Sequence, residues 1–193
     1  ARSHERAMAW LAAASLFYYA WWNPAYLPLF LISIGVNYAI GMALARWPLE
    51  RKRMRNGALA AEMVFNLGLL GWYKYAGFFA QNLNAIFHLD ISLGAIVLPL
   101  AISFYTFQQM AYLVDAWRGE TEECNIVHYT LFVAYFPQLI AGPIVHHKEM
   151  LPQFSHPETY RMNARNMALG LTLFGLGLAK KVLLADNVSV YAS

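Results

Sequence analysis

The chain has 193 residues, of which 59% are hydrophobic and 13% are charged, whereas soluble domains contain about 45–50% and about 25%. The net charge of +3 is small, and the basic residues cluster at the ends of apolar segments, which argues against nucleic-acid binding. Cys124 is the single cysteine, so an intrachain disulfide and a thiolate metal site are excluded. We therefore predict an integral membrane protein.

The two ends of the chain are unusual. Ala1 stands in place of an initiator methionine, no signal-peptide pattern follows it, and Ser193 comes soon after an apolar segment. We therefore expect residues 1–193 to be a fragment of a longer protein.

Six apolar segments follow in chain order, and a bilayer core of about 30 Å needs roughly 20 helical residues. Residues 7–22 end in a Tyr/Trp belt of the kind found at headgroup level, and Asn23-Pro24 predicts a tight turn. Residues 26–45 are long enough to span. Small residues four apart in this segment predict close approach by another helix; they are Gly35, Ala39 and Ala43.

A short basic connection sets the predicted orientation. Residues 46–56 carry five cations, so the positive-inside rule places this connection in the cytoplasm, together with Arg2 and Arg6. A lipid- or nucleic-acid-binding patch is the alternative interpretation of the same cations. Residues 58–79 then run outward, residues 81–92 form an external connection, and Lys74 is expected to reach the membrane interface.

Residues 93–117 form the next apolar segment, with a kink or break expected at Pro99 because proline removes one backbone donor. Beyond it, at 100° per residue, one helix face is polar and the opposite face carries Phe104 and Phe107. The polar stripe consists of Tyr105, Gln108, Gln109, Tyr112 and Asp115.

This stripe must face the protein interior or water, because polar groups against acyl chains are costly. Two interpretations stay open: a seam of interhelical hydrogen bonds, or the wall of a tunnel. Asp115 and Arg118 are three residues apart, which favours an ion pair at the interface.

Residues 127–142 amount to about 24 Å of ideal helix, and Pro137 interrupts them, so we predict a re-entrant or half-spanning element. Irregular backbone at membrane depth requires protein or a polar cavity around it. The segment Pro137-Gln138-Leu139-Ile140-Ala141-Gly142-Pro143 therefore predicts part of a pathway or reaction chamber. A loop over residues 146–165 follows, and the Gly-rich residues 167–185 predict a tightly packed last helix.

Known catalytic motifs are missing from the sequence. It has no Gly-Lys-Ser/Thr phosphate loop, no Gly-x-Ser-x-Gly elbow and no His-Glu-x-x-His pair. The histidines His146, His147 and His156 lie on a proline-containing loop without a nearby pair of carboxylates, which is a weak signal for a metal site. We therefore predict neither a metal site nor a bound cofactor.

The ordered motifs of the chain resemble the membrane-bound O-acyltransferases, and within them the bacterial alginate O-acetyltransferases and teichoic-acid D-alanyl transfer proteins. The match begins at Phe17-Tyr18-Tyr19-Ala20-Trp21-Trp22 and continues through residues 98–108, Tyr112-Leu113-Val114-Asp115 and the Pro137 to Pro143 motif. It ends at Ala179-Lys180-Lys181-Val182 and Ala185-Asp186, so it covers nearly the whole chain.

The resemblance implies a polytopic all-α membrane fold, with re-entrant half-helices around a central tunnel, in the bacterial inner membrane. It implies transfer of an acyl group, which we expect to be an acetyl group. The donor would be a cytoplasmic thioester, either acetyl-CoA or an acyl carrier protein. The acceptor would be a cell-envelope polysaccharide such as alginate. The implied partners of the protein are membrane lipid and an external acyltransferase. The family's catalytic histidine lies in a downstream Trp-His-Gly context that this sequence lacks, so no catalytic residue is assigned and the fragment alone is predicted inactive.

Two other classes of protein stay open. A secondary transporter would also contain broken helices and intramembrane amides, but it should show two related halves, and no convincing repeat occurs here. A non-catalytic membrane scaffold would leave Pro137 and Gly142 without a use. The motif residues Pro137, Gln138, Gly142 and Pro143 thus join the stripe as predicted site residues.

Overall fold

The computed structural model describes residues 2–121, 125–142, 147–156, 159 and 161–189. The regular elements among these residues are helices, as predicted. The chain divides into two compact units, residues 1–155 and residues 156–193. The two units are described separately below.

The first two helices are joined by the predicted turn. Helix α1 covers Arg2–Trp22 and helix α2 covers Leu27–Arg46. Between them, the Asn23 side chain accepts a hydrogen bond from the Ala25 backbone N–H, and Pro24 begins a 3₁₀ turn over Pro24–Tyr26. Asn23 satisfies a free N–H while Pro24 has none to satisfy, which is why this dipeptide reverses the chain.

The third apolar segment is longer than predicted. Helix α3 covers Lys52–Leu70, a π-helical turn follows at Gly71–Tyr75, and helix α4 covers Ala76–Phe87. The expected end near residue 79 is therefore wrong, and the connection begins only at His88, which has a left-handed φ of 52°. The Asn84 side chain holds this connection against α4 by exchanging two 2.9 Å hydrogen bonds with the Ile91 backbone.

Helix α5 covers Ile102–Arg118. The break predicted at Pro99 is present, but the helix predicted before it is not, because residues 88–99 have no helical structure. Proline disfavours the helical region for the preceding Leu98. The helix begins three residues later, where Ala101 takes a left-handed φ of 54° and the Ile102 N–H bonds the Pro99 carbonyl.

Three short helices follow. Helix α6 covers Ile126–Ala134 and helix α7 covers Phe136–Ala141, separated at Tyr135, whose ψ of 103° is not helical. The interruption predicted for residues 127–142 is thus confirmed. Pro137 lies in the first turn of α7, where its missing N–H costs nothing. Helix α8 covers His147–Ser155, where a loop was expected.

Among the described residues of the first unit, two clusters of buried side chains join the helices. In the larger cluster, Tyr19 stacks on Phe30 with ring centroids 4.3 Å apart, and Phe30 contacts Tyr105 at 4.8 Å, which joins α1, α2 and α5. Such pairs contribute about 0.5–1.5 kcal/mol beyond their burial. The smaller cluster joins α2 to α5 through Leu44 and Leu113.

Close helix approach occurs on a different face of α2 from the one predicted. Gly35 and Ala39 are exposed in this unit, so the predicted small-residue contact is not made by the described residues. Instead, a β-carbon built on Gly41 would lie 2.6 Å from Cε1 of Tyr112. The tyrosine ring of α5 therefore occupies the space that a side chain at position 41 would need.

The described residues of the second unit form a long helix over residues 164–189. It comprises α9 over Ala164–Ala179, a π-helical turn at Lys180–Ala185 and α10 over Asp186–Ser189. Asn163 begins it by accepting hydrogen bonds from the backbone N–H groups of Arg165 and Asn166. Its residues are exposed, so the tight packing predicted for its glycines is not provided by the described part of the chain.

By length and composition, two of the described helices could cross a bilayer. They are Pro24–Arg46, with a mean hydropathy of 1.8, and Ala164–Ser189, with 1.6. These findings fit a membrane protein. The six-segment topology and the re-entrant pieces around a tunnel stay predictions.

Candidate functional site

The polar stripe of α5 faces the interior, as predicted. All five of its side chains are buried, and Gln109 is fully enclosed. The opposite face is open, with Phe104 40% and Phe107 45% exposed. The helix is therefore amphipathic with its polar side inward, the reverse of a helix at the surface of a soluble protein.

Hydrogen bonds connect the stripe to α2 and α6. The Gln109 amide donates to Ser33 Oγ at 3.0 Å and accepts from the Tyr129 hydroxyl at 3.4 Å. The neighbouring Gln108 amide donates to the Phe132 carbonyl at 3.2 Å. The interpretation as an interhelical seam is thus supported by contacts, whereas the tunnel wall stays a prediction.

The seam continues into α3 through residues that the sequence analysis missed. Asn37 and Asn66 exchange amide hydrogen bonds of 3.2 and 2.8 Å, and Asn66 also donates to the Glu62 carboxylate at 3.4 Å. We call the connected set the polar chain; it consists of Ser33, Asn37, Glu62, Asn66, Gln109 and Tyr129. The available signal was the four-residue spacing of Ser33 with Asn37, and of Glu62 with Asn66, which places each pair on one helix face.

Asp115 has a different partner from the one predicted. Its carboxylate is buried and lies 3.6 Å from Nδ1 of His147, which is also buried, while Arg118 is exposed. The prediction of an interfacial ion pair between Asp115 and Arg118 is therefore wrong. The Tyr112 ring meets the His147 ring edge-on, with centroids 5.2 Å apart. Tyr112 and Asp115 of the stripe therefore converge with His147 between α5 and the start of α8. The sequence pattern predicts no metal site at His147 and gives no signal for its contact with Asp115.

The proline-glycine motif owes its shape to close contact. The Gly142 N–H bonds the Gln138 carbonyl at 2.9 Å, and Gly142 has an extended backbone with φ −83° and ψ 160°. A β-carbon at position 142 would lie 2.6 Å from Cγ and 2.7 Å from Cα of Gln138. Glycine is required here by space and not by an unusual dihedral. Pro143 lies outside the described residues, as do His146 and Cys124.

Arg55 is a second residue whose role the sequence analysis missed. The sequence predicts only a charge that sets the topology, but the guanidinium of Arg55 is buried and bonds four backbone carbonyls. Leu44 and Trp47 provide two at the end of α2, and Ala116 and Trp117 provide two at the end of α5. The last carbonyls of a helix have no partner within it, and the planar guanidinium has enough donors for several of them. Arg55 therefore ties the ends of two helices together.

Comparison with known proteins gives one consistent group of relatives. The chain is 42% identical to a peptidoglycan O-acetyltransferase of Helicobacter pylori over 95% of its length. It is 38% and 37% identical to probable alginate O-acetylases of Pseudomonas aeruginosa and Azotobacter vinelandii over 94% of its length. These relatives confirm the resemblance seen in the motifs.

The chain belongs to the membrane-bound O-acyltransferase family. It spans 39%, 35% and 37% of the length of these three relatives. No family model matches the chain, and no solved structure matches it.

In this chain the site described above is a packed polar seam without an assigned catalytic group. Among the described residues, no three His, Cys, Asp or Glu side chains come together in a way that could hold a metal ion. The Trp-His-Gly context does not occur in the 193 residues. What the described residues provide is a buried polar face on α5, in contact with α6, which leads directly into the proline-glycine motif.

Proposed function

We propose that this chain is part of a membrane O-acetyltransferase that modifies a polymer of the bacterial cell envelope. The proposal depends chiefly on the identity of 42% with a peptidoglycan O-acetyltransferase across 95% of the chain. The two alginate relatives carry out the same class of reaction by name. The acceptor is therefore proposed as a hydroxyl group of an envelope glycan, either peptidoglycan or an exopolysaccharide such as alginate.

The donor is proposed as a cytoplasmic thioester, either acetyl-CoA or an acyl carrier protein. Transfer to an acceptor outside the cytoplasm requires the acetyl group to pass through the protein, so we place the chain in the inner membrane as a multi-pass protein. A partner that delivers the group to the polymer on the outer side completes the proposed system.

We propose that the α5 stripe and the proline-glycine motif shape the path of the acetyl group. The structure supports this through one juxtaposition: Gln108 of the stripe bonds the Phe132 carbonyl of α6, and α6 ends one residue before α7, which contains Pro137. A stripe of hydrogen-bonded amides gives a wall whose side chains are already in place before substrate arrives. No residue of this chain is proposed as catalytic.

The acceptor can be tested in cells. Deleting the complete gene should lower the O-acetyl content of one envelope polymer, measured by mass spectrometry of muropeptides and of purified exopolysaccharide, and the intact gene should restore it. An unchanged acetyl content of both polymers would contradict the proposed acceptors.

Acyl transfer can be separated from transport in vesicles. The complete protein is reconstituted with its envelope partner, and labelled acetyl thioester is supplied on the cytoplasmic side. Label bound covalently to the acceptor supports the transferase. Label that accumulates inside the vesicles as free substrate, without a covalent product, would favour the secondary transporter instead.

A further inference from the structure

A basic pocket lies between the end of α5 and the start of α3, away from the polar chain. It is a cavity of about 370 Å³. Its lining residues are Leu49, Lys52, Arg55, Asn56, Trp117 and Arg118. The volume falls in the range of small-molecule sites, about 300–1,000 Å³, so the pocket has room for a small charged group together with the atoms attached to it.

The charge of this basic pocket is uncompensated. Three of its six lining residues are cations and none is a carboxylate. Arg55 is engaged with four backbone carbonyls, so its charge stays in the wall. In the part of the chain that the structure describes, neither Lys52 nor Arg118 has an ion-pair partner, and both side chains are exposed. Two free cations therefore flank a fixed one.

The remaining wall is partly aromatic. The Trp117 indole N–H donates a 2.8 Å hydrogen bond to Asn56 Oδ1, which holds the ring in one orientation. Trp117 and Leu49 supply an apolar surface beside the cations. A wall that is apolar on one side and cationic on the other fits a ligand with a charged group attached to an uncharged part.

We propose that the basic pocket binds the phosphate group of an anionic phosphate ester. Arginine and lysine are the side chains that recognise phosphate best, and the cavity accommodates the group attached to that phosphate. Two sources have this chemistry: the headgroup of an anionic phospholipid, to which basic residues at a membrane surface are attracted, and a soluble phosphorylated molecule. The test of this site measures binding alone and does not depend on turnover.

The test compares two double variants of the complete protein in detergent. Lys52→Gln with Arg118→Gln removes the two free cations of the pocket. Arg51→Gln with Arg53→Gln removes the same charge from exposed positions at the start of α3 that do not line the pocket. Binding of phosphatidylglycerol and of phosphatidylcholine is measured by native mass spectrometry, and binding of radiolabelled inorganic phosphate is measured without lipid.

A basic residue near an anionic surface contributes about 1 kcal/mol, or roughly fivefold in affinity, so the pocket variant should bind about 25-fold more weakly. The control variant should stay within about twofold of the unmodified protein. A selective loss of phosphatidylglycerol binding identifies the lipid headgroup, and a selective loss of inorganic phosphate binding identifies a soluble ester. Equal weakening in both double variants would show diffuse surface attraction and overturn the proposal, as would the absence of phosphate-dependent binding in the unmodified protein.

Discussion

Replacing Gly142 with alanine should disable acetyl transfer while leaving the protein in the membrane. The structure supplies the magnitude. A β-carbon at position 142 would lie 2.7 Å from Cα of Gln138, which is 0.7 Å short of the 3.4 Å where ordinary van der Waals contact begins. Because the obstacle is backbone, no side-chain rotation relieves it, and the end of α7 must move by a comparable distance.

A displacement near 1 Å can cost about a hundredfold in rate even when it originates away from the reacting atoms. We therefore expect Gly142→Ala to lower the turnover by at least about tenfold. Overpacking at this position should also cost about 1–3 kcal/mol of stability. The assay is transfer of labelled acetyl from a thioester in vesicles that contain the complete protein and its partner, alongside thermal unfolding in detergent.

The matched control is Gly57→Ala. Gly57 lies in α3, and apart from its chain neighbours and the backbone of its own helix, no atom of the described residues lies within 4 Å of the place where its β-carbon would sit. Alanine there should therefore be neutral or slightly stabilising. Near-normal turnover of a folded Gly142→Ala protein would refute the role given to the close contact. A loss of turnover in Gly57→Ala equal to that in Gly142→Ala would show that the assay reports general damage.

The remaining predictions concern the seam, the helix ends, the topology and the isolated chain. Gln108→Leu should lose about 0.6 kcal/mol of stability if the Gln108 side chain only joins neighbouring helices. Reduced turnover at nearly unchanged thermal stability would indicate a tunnel wall. Unchanged turnover in this variant would exclude the tunnel wall. Arg55→Lys should cost at least about 2 kcal/mol, since several charge-assisted hydrogen bonds to carbonyls are lost, while exposed Arg53→Lys should be neutral in the same unfolding assay. A cysteine at position 53, introduced into a Cys124→Ser background, should resist membrane-impermeant labelling in intact cells, and labelling there would reverse the orientation. Purified residues 1–193 should transfer no acetyl, and robust transfer by them would place catalysis within this chain.

Much of the local structure was predictable because its causes are local. Asn23-Pro24 caps and turns the chain within three residues, and Pro99 and Pro137 restrict the backbone wherever they occur. The inward stripe of α5 was also predictable, since helical periodicity alone separates Gln108 and Gln109 from Phe104 and Phe107 on the opposite face. Errors arose where a long apolar run did not reveal its own end, as at residue 79 and before Pro99.

The sequence by itself determined that the chain is helical and apolar, where its helices are interrupted, and which face of α5 turns inward. Only the tertiary structure decided which residues meet. Asn37 and Asn66 are 29 residues apart, and Arg55 bonds a carbonyl 61 residues away. The sequence predicts a partner for Asp115 on its own helix, yet packing places its carboxylate beside His147. Helical periodicity determines on which face of its helix a side chain lies. The partner of that side chain depends on how separate helices pack against each other, and no local pattern carries that information.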